Sequence, residues 1–188
     1  MKQTIHMIAT LTIIGALVGA LLSYVAGWAA PKIEINKKKD TEQAIFKVQP
    51  DAKKFEKITG TALEIYKVFD DSGKALGYAM PYEGNGFQGK IRLMFGIKND
   101  LKELTGLEIL EQSETPGLGA KIVDDDFRGQ FIKLITQPEI AWLKGAKAEK
   151  ENQIETITGA TISSKAVVAI LNDGIKKLSE TTNTGGEK

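Results

Sequence analysis

The sequence reads as an α+β protein: one N-terminal transmembrane helix, then a single soluble domain in which an antiparallel sheet is packed with helices. Three observations lead there. Residues 7–30 contain no charged side chain. Residues 61–110 hold two pairs of strand-like segments, each pair joined by a short turn. Beyond residue 160 the apolar spacing changes to that of a helix.

The uncharged run is MIATLTIIGALVGALLSYVAGWAA. At 1.5 Å per residue a helix of that length crosses a bilayer core of about 30 Å with some tilt. Tyr24 and Trp28 lie near its end, where amphipathic rings favour the headgroup region. Pro31 follows as a natural stop. A cleaved signal peptide is the alternative, but its apolar core usually spans only ~7–15 residues. Gly15, Gly19, Ser23 and Gly27 recur at every fourth position, a stripe small enough for another helix to approach closely within lipid.

Residues 31–40 are polar and read as a linker, followed by a short helix from Asp40 or Thr41 to about Val48 that Pro50 ends. Residues 61–69 and 74–82 flank the turn Asp70-Asp71-Ser72-Gly73 and form one hairpin; residues 90–97 and 103–110 flank Lys98-Asn99-Asp100 and form a second. Residues 124–135 read as an amphipathic helix with acidic residues in its first turn, where they suit the dipole. A last helix is expected from about Ser163 to Leu178, its apolar face made by Val167, Val168, Ile170, Leu171, Ile175 and Leu178. The chain thus divides into an anchor (1–30), a linker and helix (31–50), one domain (51–180) and a mobile tail (181–188).

Lys2 is the only Lys or Arg before Lys32, so the rest of the chain holds 24 of the 25 basic residues against all 24 acidic ones. That balance argues against nucleic-acid binding, which needs a basic footprint. Cysteine is absent, which excludes disulfides, iron–sulfur clusters and Cys-based zinc sites. The one histidine, His6, sits at the edge of the membrane segment. No metal site is expected, and a hydrolase with Thr161 as nucleophile lacks a histidine to activate it.

Three glycine-rich segments stand out: residues 84–89 (GNGFQG), residues 114–119 (ETPGLG) and residues 158–161 (TGAT), which open the last helix. Each alone reads as a turn or a cap; Pro116-Gly117 suits a type II turn, and Thr158, Thr161, Ser163 and Ser164 suit a helix start. The third also has the physics of a phosphate site. A helix start offers unpaired N–H groups and a positive dipole end, Gly159 and Ala160 let a ligand near the backbone, and a threonine hydroxyl there can carry a phosphoester. Such a site binds a nucleotide or flavin phosphate with neither lysine clamp nor metal.

Taken together the segments resemble the FMN-binding subunits of the RnfG/NqrC family, most closely the G subunit of the Rnf ion-translocating electron transport complex. The likeness rests on Gly77-Tyr78, residues 86–91 (GFQGKI), Phe95-Gly96-Ile97, Leu107, residues 114–119, Phe127 to Phe131, and residues 155–164 (ETITGATISS), and it extends over the anchor and nearly all of the soluble domain. The chain departs from the family's usual pattern in having Thr158 for Ser, Glu155 for Asp, and Gln112-Ser113 for a His-Lys pair.

The resemblance implies an FMN-binding domain over 51–180, with FMN joined to Thr161 by a phosphoester. Thr158, Gly159 and Ala160 then frame the attachment point. The turn of Glu114, Thr115, Gly117, Leu118 and Gly119 meets the flavin ring, with backbone N–H groups near Gly117 and Gly119 and the side chain of Leu118 on its face. No catalytic acid, base or nucleophile is implied, because the flavin does the redox work. The implied role is an electron carrier in a membrane-bound ferredoxin:NAD oxidoreductase that moves Na+ or H+. Its partners would be the other membrane subunits, with a flavin transferase of the ApbE type for maturation. The alternatives are an NqrC-like subunit of a sodium-pumping NADH:quinone reductase and a cofactor-free anchored binding or assembly domain. Lys32, Lys37, Lys38 and Lys39 behind the span would by the positive-inside rule keep the domain cytoplasmic. The resemblance implies the extracytoplasmic side, and that is the side expected here.

Overall fold

The computed structural model describes residues 2–61 and 63–184. The elements in order are α1 (Lys2–Val48), β1 (Lys54–Ile58), β2 (Ile65–Phe69), β3 (Ala75–Asn85), β4 (Lys90–Lys98), β5 (Leu104–Glu111), a 3-10 turn (Gly119–Val123), α2 (Asp125–Arg128), a second 3-10 turn (Gly129–Phe131), β6 (Ala141–Leu143), β7 (Gln153–Glu155) and α3 (Thr161–Thr184). The chain forms two compact units, Met1–Asp40 and Thr41–Lys188.

The first unit is helix throughout its described length, and none of its most apolar stretch is buried by protein. Leu11, Leu17 and Leu21 are all exposed. The hydroxyls of Thr10 and Thr12 donate to the carbonyls of His6 and Ile8, at 2.8 and 2.9 Å, so these polar groups are satisfied within the helix. Pro31 does not end the helix, and the linker expected at 31–40 is helical. A proline costs its own missing hydrogen bond and a clash one turn back, but the good helix formers behind it, Glu34 and Lys37 to Lys39, sustain the next turns. The short helix expected after residue 40 is the end of the same element, and it stops before Pro50 as anticipated.

In the second unit β1 to β5 form an antiparallel meander in chain order. Both anticipated hairpins are present: β2 pairs with β3 across the Asp70–Gly73 turn, and β4 with β5 across Lys98–Asp100. Asp70 fixes the first turn by accepting from the N–H groups of Ser72 and Lys74. β4 lies between β3 and β5 and is buried on both faces. Ile91, Leu93, Phe95 and Ile97 point to one side, into a core with Val167, Leu171, Leu178, Phe131 and Ile122. Met94 points to the other, with Ala44, Ile45 and Val48 at the end of α1. That end can pack against the sheet because Gly96 has no side chain: a Cβ there would come within 2.4 Å of the Val48 carbonyl oxygen. Gln49 and Thr105 complete the contact, Gln49 Nε2 donating to the Ile97 carbonyl at 3.2 Å and Thr105 Oγ1 to that of Val48 at 2.6 Å.

Two expectations change. The helix anticipated over residues 124–135 is one α turn followed by a 3-10 turn. Its apolar spacing serves a compact corner instead, with Phe127 and Phe131 buried edge to face at 5.3 Å; Ile132, already extended, ends the helical course, and Lys133 follows in a left-handed conformation. The last helix begins two residues earlier than expected and runs on to Thr184. Residues 181–184, taken as part of a mobile tail, are therefore helical, whereas 185–188 lie outside the described residues. Strand β1 and the short parallel pair β6–β7 had no clear periodic signal, but the pair matters, because it delivers residues 156–160 to the start of α3.

Candidate functional site

The ETPGLG and TGAT segments fold by the same device. In the first, the Leu118 N–H reaches the Thr115 carbonyl at 3.2 Å with Gly117 at φ +74°; in the second, the Ala160 N–H reaches the Ile157 carbonyl at 2.9 Å with Gly159 at φ +82°. Glycine at the third place is what a type II turn requires. The two turns face each other: a Cβ built on Gly159 would lie 3.2 Å from Leu118 Cδ2.

Between them opens a cavity of about 300 Å³. Glu114, Thr115, Leu118 and Gly119 line it from one turn, and Gly159, Ala160, Thr161, Ile162 and Ser163 from the start of α3. Of the expected site residues, Gly117 and Thr158 are not among the lining; both are exposed beside it. The third glycine-rich segment contributes Phe87. Phe87, Leu118 and Ile162 are all exposed large apolar side chains, so the mouth of the cavity is apolar while its floor is polar. Ile162 and Lys144 were not singled out from the sequence; Ile162 adjoins a recognised motif, whereas Lys144 reaches the lining from beyond β6 and carries no local signal.

The hydroxyls around the helix start fall into two groups. Ser163 Oγ donates to Glu114 Oε2 at 2.6 Å, and Ser164 Oγ donates to the Ala160 carbonyl while accepting the Ile157 N–H. Both serines are buried and engaged. Neither Thr158 nor Thr161 has a side-chain hydrogen bond among the described residues, and only Thr161 lines the cavity. It is the first residue of α3. Ser164 is bonded back to the Ala160 carbonyl, and the first-turn N–H groups ahead of it have no carbonyl one turn earlier in the helix. These groups and the dipole suit a phosphate. The apolar mouth suits an aromatic ring.

A larger cleft, about 560 Å³, is lined by Glu83, Lys90, Arg92 and Glu111 together with Gln112 and Ser113. Its charged residues pair with one another, Lys90 with Glu83 and Arg92 with Glu111. The Gln112-Ser113 departure from the family pattern thus falls on this cleft and not on the Thr161 cavity. Among the described residues no group of three or more His, Asp or Glu side chains is placed to hold a metal.

An apolar helix at the N-terminus, an antiparallel sheet domain and a phosphate-suited hydroxyl at a helix start define a membrane-anchored cofactor domain. Residues 86–176 match the FMN-binding domain family, a span that includes all three glycine-rich segments from Gly86 on. The chain is 32% identical to the G subunit of the ion-translocating oxidoreductase complex of Methanosarcina acetivorans, covering 95% of this chain and 96% of the relative. It is 30% identical to the G subunit of the proton-translocating ferredoxin:NAD(+) oxidoreductase complex of Clostridium ljungdahlii, covering 93% and 88%. A solved structure of the C subunit of the Na(+)-translocating NADH-quinone reductase from Parabacteroides distasonis shares the fold, with a TM-score of 0.56 at 22% identity over 73% of this chain and 89% of that one. The chain belongs to the family of G subunits of ion-translocating oxidoreductase complexes, with an FMN-binding domain and an N-terminal membrane anchor.

Proposed function

We propose that this protein is the electron-carrier subunit of a membrane-bound, ion-translocating ferredoxin:NAD oxidoreductase, and that it works through FMN esterified to Thr161. The near full-length likeness to two G subunits supports the assignment over an NqrC-like one. The covalent attachment rests on one observation: Thr161 is the one hydroxyl of the helix start that lines the cavity without being held by another side chain. FMN supplies reversible electron uptake and release. The chain's own residues supply the rest. Thr161 tethers, the first N–H groups of α3 receive the phosphate, and Phe87, Leu118 and Ile162 offer apolar surface to the ring. Glu114, Thr115, Gly117 and Gly119 shape the facing turn, and Thr158, Gly159 and Ala160 the approach to the helix.

The test is direct. Full-length protein produced with an ApbE-type flavin transferase should keep one FMN per chain after denaturation, and Thr161→Ala should keep none. Release of all colour from the denatured parent would sink the covalent reading.

The anchor stripe of Gly15, Gly19, Ser23 and Gly27 belongs on this reading to contacts with the other membrane subunits; a Cβ at Gly15, Gly19 or Gly27 would meet only open space within the chain itself. Gly19→Leu should weaken co-purification with those subunits without changing flavin content. We place the flavin domain on the extracytoplasmic side, where the transferase works. The chain has no native cysteine, so a cysteine at exposed Lys147 should react with a membrane-impermeant reagent in intact cells. Labelling only after lysis would reverse the orientation.

A further inference from the structure

The geometry points to Glu114 as a positioning residue: its buried side chain latches the first two glycine-rich segments to the first turn of α3 and thereby fixes the cavity in which Thr161 presents its hydroxyl. The inference rests on the reading that Thr161 carries the flavin. Glu114 is only 4% exposed. Its Oε1 accepts the N–H groups of Phe87 and Gln88 at 2.8 and 3.2 Å, and its Oε2 accepts the Ser163 hydroxyl at 2.6 Å. Its own N–H is held by Gln112 Oε1 at 2.6 Å. One side chain therefore joins the turn before β4, the turn after β5 and the first turn of α3, segments 27 and 49 residues away along the chain.

Two glycines mark how closely the backbone is drawn around this carboxylate. A Cβ on Gly86 would come within 2.3 Å of Oε1, and one on Gly119 within 2.7 Å of Oε2. Both oxygens are thus engaged inside the protein, and Glu114 acts on the flavin site only through the walls it holds. A buried polar side chain persists only when its polar atoms are hydrogen-bonded, and these three bonds occupy both oxygens of Glu114. Ser163 is two residues beyond Thr161, so the latch sets the rotation of the helix start, while Phe87 and Leu118 stay across the cavity from it.

The test uses the full chain in detergent with Glu114→Ala, Glu114→Gln and Ser163→Ala. Glutamine keeps the volume and one carbonyl acceptor, and its amide can donate to Ser163 Oγ, so it should largely rescue what alanine loses. Two quantities are read well below each variant's Tm: hydrogen exchange of peptides covering 86–90 and 161–165, and the initial rate of flavin loading by the transferase per folded chain. Glu114→Ala should raise exchange in both peptides together and slow loading by about 10- to 100-fold, the scale of a misplaced reacting group. Ser163→Ala should loosen chiefly the second peptide. Parent-like exchange and loading in Glu114→Ala would overturn the latch, as would equal losses in the alanine and glutamine variants. A parent that takes no flavin would instead overturn the Thr161 reading, and the exchange pattern would still decide the latch.

Discussion

The two long helices are built on opposite principles. Residues 7–30 of α1 are apolar around the whole circumference and touch no protein core, whereas α3 carries one apolar stripe and buries Val167, Leu171 and Leu178 against the sheet. A helix apolar on all sides needs lipid, which surrounds it; a helix with a stripe needs a surface to lie on, and that surface can hold its first residue at a defined point. Thr161 has its position because α3 is clamped behind it. On the proposed reading, function sits on the clamped helix, and the unclamped one sets location.

The largest test of this contrast is to remove one partner. A chain lacking residues 2–30 should leave the membrane fraction entirely, yet the purified protein should load flavin at Thr161 from added transferase to the parent extent, since Thr41 to Val48 keep their packing. Loss of flavin loading in folded truncated protein would mean that the anchor shapes the site. Single substitutions sharpen the contrast further. Leu171→Ala should cost about 2–5 kcal/mol in chemical denaturation, whereas Leu17→Ala should leave domain stability within about 0.5 kcal/mol; comparable losses would refute the separation. The end of α1 is the informative intermediate case, because there the helix does touch the sheet. Ile45→Val should cost about 0.5–1.5 kcal/mol, and no measurable change would show that this end is not clamped.

The smallest effect concerns the exposed side of α3. The Tyr82 hydroxyl donates to Asp173, and this bond, with Lys177 nearby, holds the Asp173 carboxyl below the ordinary carboxylate range. A depressed folded pKa means the contribution is present above the unfolded value and is lost as pH falls through the folded one. Tyr82→Phe should therefore lower Tm slightly near pH 7, and the difference should vanish at strongly acidic pH. The aspartate side chain is about half exposed, so solvent keeps the effect small. A difference that grew on acidification would rule out this bond as its source.

Much of this was legible in the chain itself. An uncharged run at residues 7–30 needs no tertiary information to be recognised, because its partner is solvent-like lipid. Both hairpins and the apolar face of α3 follow from local periodicity and from turn residues such as Asp70 and Gly73. The motifs singled out Thr161, and what the structure adds is its place, the first residue of α3 in the lining of a cavity; that it carries the flavin is the proposed reading. Other features were decided only by contacts distant in sequence. Pro31 would end many helices, and whether it ended this one depended on what the following turns could sustain. The spacing of Phe127 and Phe131 fits a helix, but a corner packed edge to face used it instead. Strand β7 is three residues long and gains meaning only beside β6. The clearest case is Glu114. In sequence it is one acid before a proline-glycine turn, with nothing to say that its carboxylate would be buried. Its role exists only once the meander and α3 bring Phe87, Gln88 and Ser163 to its two oxygens, because a hydrogen bond depends on distance in space and not on distance along the chain.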